Sequence, residues 1–133
     1  MNAEFADLRS LAEAQGGEAF VPQGDGAFTL ALAGFALSFA RVPGEPATAL
    51  VRARVLELAD VPRAPDFAKA ALAGNFFWGG TRGATLSLGD DCALWLTERR
   101  PLDELADADG LVECITDFGK TVADWRERSA LYV

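Results

Sequence analysis

The sequence has 133 residues, half of them apolar and a quarter charged, with a formal net charge of −8, which suffices for one domain with its own core but not for two. No uninterrupted apolar run approaches the ~20 residues of a membrane-spanning helix, and the acidic balance disfavours nucleic acid and anionic lipid, which would be approached against the protein's own field. The absence of histidine removes Ser-His-Asp and Cys-His catalysis, histidine-ligated metals and the commonest general base near neutral pH.

The opening stretch MNAEFADLRS carries acids where an export signal would carry basic residues and an apolar run, so the expected location is the cytoplasm. Ala3 to Gln15 reads as a helix with Phe5, Leu8, Leu11 and Ala12 on one face, stopped by Gly16 and Gly17. Glu18 to Gly26, with Pro22, Gly24 and Gly26, reads as a loop. Phe28, Leu30 and Leu32, then Phe35, Leu37 and Phe39 after Ala33-Gly34, alternate as a hairpin with one bulky face. Ala31, Ala36, Ser38 and Ala40 leave the other face shallow, fit for a covering helix or a visiting segment. Thr48 to Leu58 is a third strand whose alternation changes phase, which predicts a bulge near Val55 or Leu56.

Pro65 to Leu88 organises the rest of the chain. A small-residue helix carrying Phe67, Ala68, Ala71 and Leu72 ends in Phe76, Phe77 and Trp78, then passes through Gly79, Gly80 and Gly83 into the strand Ala84 to Leu88. Three consecutive aromatics cannot all enter one core, so at least one faces a groove, a partner or solvent. Gly89-Asp90-Asp91 turns into a strand containing Cys92, Leu94 and Leu96, with Trp95 on its other face. From Ala108 to Arg128, Leu111, Ile115, Phe118, Val122 and Trp125 recur at helical spacing. The predicted fold is α+β: an antiparallel five-stranded sheet with three helices, in the order α-β-β-β-α-β-β-α.

Little of this carries reaction chemistry. The glycine run around Gly80 and Gly83 leads into a strand and has no lysine followed by Ser or Thr, so it is no phosphate loop. Asp90 and Asp91 read as turn residues, and no metal site or cofactor is expected. An enzyme using Asp90, Asp91 and Glu98 would need a pocket converging on those acids. Cys92 and Cys114 have no CxxC spacing and read as reduced thiols in the core. What remains is apolar surface, the profile of a binding module.

Several motifs sharpen this reading: Asn75-x-Phe77 at a helix end, Gly80-Thr81-Arg82-Gly83-Ala84-x-Leu86-x-Leu88, the acidic turn at Asp90 and Asp91, and Leu94-x-Leu96 leading to Arg99-Arg100-Pro101-Leu102. With a final helix bearing Phe118 and Trp125, they resemble the class I chaperones of bacterial type III secretion, the Tir-chaperone family. The aromatic run at Phe76, the Gly16-Gly17 pair and the cysteines depart from that pattern.

The resemblance implies a cytoplasmic homodimer, without nucleotide, enzymatic activity or membrane insertion, that binds the N-terminal segment of a secreted effector protein. It suggests Phe5, Leu8, Phe28, Leu30, Phe35, Leu37 and Phe39 as the core beneath, or the lining of, the effector groove. It places Phe67, Ala71, Leu72, Phe76, Phe77 and Trp78 at or near the dimer contact. The alternative is a small non-enzymatic α+β ligand-binding or regulatory module of the same architecture.

Overall fold

A computed structural model describes residues 4–133, leaving out the side chain of Phe77. Its elements are α1 (Phe5–Gly16), β1 (Phe20–Pro22), β2 (Phe28–Leu32), β3 (Phe35–Val42), β4 (Glu45–Glu57), α2 (Ala64–Gly74), β5 (Thr85–Leu88), β6 (Ala93–Pro101), α3 (Leu102–Leu105) and α4 (Ala108–Ser129). The α+β class stands, but the described residues form six strands and four helices in place of five and three. The added strand is β1, inside the stretch read as a loop. Three residues ended by Pro22 carry no alternation to detect, and pairing of Phe20 with Leu30 is what makes them a strand. The added helix is α3, a single turn that buries Leu102 and Leu105.

All neighbours in the sheet run antiparallel, in the order β1-β2-β3-β4-β6-β5. Register sorts the side chains by face. Leu30, Leu37, Ala53, Leu96 and Leu86 stand side by side across five strands and are buried beneath the helices. One residue along, Thr29, Ser38, Arg52, Thr97 and Thr85 form the corresponding row on the face that no helix covers. The predicted bulge is present: Arg54 faces Trp95 and Leu56 faces Leu94, leaving Val55 as the extra residue. The Val55 carbonyl accepts a hydrogen bond from Arg126 Nε at 2.7 Å, which ties the bulge to α4.

Phe28 stacks on Phe39 with 4.9 Å between ring centroids, and Phe5 closes over Phe28 from α1 at 5.8 Å. The longest helix, α4, buries Leu111, Cys114, Phe118, Thr121, Val122 and Trp125 along one side. Asp107 caps its start by accepting from the Gly110 N–H at 2.7 Å, and Arg126 and Arg128 lie in its last turn, where the helix dipole favours cations. Two glycines that weaken this helix sit at its closest contacts. A Cβ on Gly110 would lie 1.9 Å from the Glu104 carbonyl oxygen, and one on Gly119 would lie 3.2 Å from the Phe35 ring.

Candidate functional site

A groove of about 220 Å³ opens between the end of α1, the end of β2 and the start of α4. Apart from Gln15 its walls are apolar and mix short with branched side chains, among them Ala12, Gly16, Leu32, Val112 and Ile115, with Leu30 at its base. Small residues keep it open: a Cβ on Gly16 would already stand 3.0 Å from Leu30 Cδ2. Val112 is 57% exposed, an unusual position for a valine on an otherwise amphipathic helix. The two largest of the other hollows, of about 480 and 570 Å³, are rimmed by charge. The first lies by Glu4, Arg41 and Glu45, and the second by Glu98, Glu104, Asp107 and Asp109.

The groove adjoins an edge of the sheet. β1 pairs with β2 only from Phe28 to Leu30, so Ala31 and Leu32 run on without a β1 partner while still paired to β3. Val21, in the middle of β1, is 41% exposed. Backbone groups along a sheet edge and an apolar groove beside them are what an extended peptide with alternating apolar side chains recognises.

A second apolar surface lies at the opposite end of the sheet. Leu72 of α2 and Leu88 of β5 line a narrow cleft with Ala68 and Ala71. They are 68% and 56% exposed, and Phe76 and Trp78, in the short 3₁₀ turn after α2, are 75% and 55% exposed. Trp78 has φ +57°, a strained conformation for a bulky residue, and its N–H donates to the Asn75 carbonyl at 2.9 Å.

The candidate residues divide by burial. Phe5, Leu8, Phe28, Leu30, Leu37 and Phe39 are all fully buried and lie beneath the surface, with only Leu30 also reaching the groove, and Phe35 is half-buried against Gly119. Phe67 and Ala71 are buried too: Phe67 packs edge-on to Trp125 at 6.0 Å and Tyr132 at 5.4 Å. Leu72, Phe76 and Trp78 face outward, while the Phe77 side chain lies outside the described residues. Sequence reasoning missed Leu32, Val112 and Gly16 as groove walls. Val112 offered a signal, being an apolar residue off the α4 stripe.

The acids do not converge on a reaction centre. Asp91 accepts from the Ala93 N–H at 3.0 Å, which holds its carboxyl below the usual range, and it pairs with Arg54 at 3.3 Å. Glu98 instead faces α3 and α4, bonded to Arg100 at 2.8 Å, with its carboxyl pushed up by burial. No group of carboxylates and thiols among the described residues is arranged to hold a metal ion. Burial beside these groups pushes the Cys114 thiol up to about 12, whereas Cys92 is exposed at the β5–β6 turn.

The sequence profile of the Tir chaperone protein (CesT) family matches residues 8–126, from the middle of α1 into the last turns of α4. The chain belongs to the Tir chaperone protein family. No curated protein matches it. Among solved structures, this family member resembles a chain of the ExsC–ExsE complex with a TM-score of 0.73 at 11% identity, covering 96% of each chain. It also resembles a chain of the HopA1–SchA chaperone–effector complex, with a TM-score of 0.67 at 16% identity, covering 94% of this chain and 98% of that one. A third likeness is to the Yersinia pestis type III secretion chaperone SycH in complex with a fragment of YscM2, with a TM-score of 0.53 at 12% identity and coverage of 96% and 98%. At these identities the fold is what is shared.

Proposed function

We propose that this protein is a cytoplasmic type III secretion chaperone that binds the N-terminal region of a secreted effector and keeps it competent for export. The observation that carries the reading is the apolar groove beside the β1 edge, present in a chain of the Tir chaperone protein family. Solved structures with a similar fold include a chaperone–effector complex and a chaperone bound to a protein fragment. An extended effector segment gains affinity from backbone pairing at the edge and specificity from side chains seated in the groove. No turnover of the client is part of this activity, so the protein acts by binding alone.

The working unit of this reading is a homodimer. Leu72, Phe76 and Trp78, with Leu88 beside them, supply an apolar contact for a second copy, while Phe67 and Ala71 support it from the core. One long effector segment engaging the grooves of both copies gains from effective concentration.

Light scattering tests both parts, on the protein alone and then co-expressed with the N-terminal ~100 residues of proteins encoded beside it, a length that spans a dimer when extended. The expected result is a dimer that becomes a two-to-one complex with one such neighbour. A monomer that captures none of them favours the ligand-binding module instead.

A further inference from the structure

A six-stranded open sheet has two edges, and in this protein they are not equivalent. At the β5 edge the Leu86 N–H donates to Asn75 Oδ1 at 2.7 Å, and Asn75 Nδ2 donates to the Leu86 carbonyl at 2.9 Å. Two facing residues of an antiparallel pair exchange the same two bonds. The single amide of Asn75 therefore does for Leu86 what an added strand would do. Two residues earlier, the Ala84 N–H is also occupied, donating to the Thr81 carbonyl at 3.2 Å. Asn75 is held in place from both sides: its N–H donates to Leu72 at the end of α2, and its carbonyl accepts from Trp78.

At the other edge the Phe20 N–H donates to the Gly17 carbonyl and Pro22 has no N–H, but no side chain among the described residues clasps the backbone, and Ala31 and Leu32 of β2 extend past β1 without a partner on that side. We propose that Asn75 is a one-residue surrogate strand that closes the β5 edge, so that strand addition takes place only at the opposite edge, beside Ala31 and Leu32 where β2 extends past β1. The proposal rests on the chaperone reading and names the segment that the site accepts. Exposed carboxylates at Glu13, Glu18, Asp109 and Glu113 neighbour the groove walls in sequence. The complementary partner is an extended segment with alternating apolar side chains and flanking lysines or arginines.

The test uses the full chain, the Asn75→Ala variant and a short peptide of alternating valine and threonine with lysine at both ends. In the unmodified protein the peptide should shift the backbone NMR signals of Val21, Ala31 and Leu32 and leave those of Thr85 to Leu88 in place. In Asn75→Ala the Leu86 amide should exchange about tenfold faster, from the lost bond, and the peptide should produce a second set of shifts along β5. Unchanged Leu86 exchange in the variant overturns the clasp. Peptide shifts on β5 of the unmodified protein, or on neither edge, overturn the one-sided edge, and that arm needs no variant. Failure to capture any effector, with both edge results as expected, would remove the chaperone reading and leave the role of Asn75 standing.

Discussion

Trp125 donates its indole N–H to the Gly80 carbonyl at 2.9 Å, joining the last helix to the glycine turn that follows α2. The same ring lies against the end of α2, where a Cβ on Gly74 would stand 2.4 Å from Trp125 Cζ2. The hinge between α2 and β5 is thus fastened to α4 by Trp125, and again by Arg82, which donates to Thr121 Oγ1 at 3.0 Å and to Asp124 Oδ2 at 2.8 Å, and the aromatic corner at Phe76 and Trp78 is carried by that joint.

Gly74→Ala is accordingly expected to destabilise. Overpacking costs ~1–3 kcal/mol, while the better helix former returns up to ~1 kcal/mol, leaving a net loss of roughly 1–2 kcal/mol. Calorimetry should show Tm lowered by about 4–10 °C. Gly24→Ala, where nothing lies within 4 Å, serves as the control and should leave Tm in place.

The parts of the fold legible in sequence are those with several repeats of one period. The α4 stripe from Leu111 to Trp125, the β2–β3 hairpin and the phase change at Val55 each announced themselves in this way. β1 and α3 are too short to carry a period, and tertiary contacts made by Phe20, Leu102 and Leu105 determine them. The site was less legible for a different reason. Large residues such as Phe28 and Phe39 are needed inside a domain of this size, so the groove is walled by small residues, by the partly buried Leu32 and Ile115, and by one valine off the stripe. Asn75 was recognised only as part of a motif, because its amide meets Leu86 across eleven positions of sequence.

The two cysteines should separate chemically. Desolvation raises the Cys114 thiol from 9.0 to about 12, so the neutral form is the one the fold favours. The resulting contribution to stability is fully present below pH 9.0 and is lost as pH rises from there toward about 12. Titration with a maleimide near neutral pH should consume one equivalent in the native protein, at the exposed Cys92, and a second only after unfolding. Two equivalents consumed at the same rate without denaturant would contradict the burial of Cys114.

Leu72→Asp separates folding from assembly. The side chain is 68% exposed in one copy, so an aspartate there is hydrated and the monomer should fold with its helical signal intact. If α2 is the dimer contact, the same carboxylate enters an apolar interface without a cation, a cost of ~3 kcal/mol or more that weakens association at least ~100-fold. Light scattering at micromolar concentration should then report the monomer mass. Val112→Asp, at the groove, should give the reverse pattern: an intact dimer with weakened capture of the effector segment. A Leu72→Asp protein that remains dimeric would move the contact away from α2, and the open sheet face around Arg52 and Trp95 would be the next surface to vary.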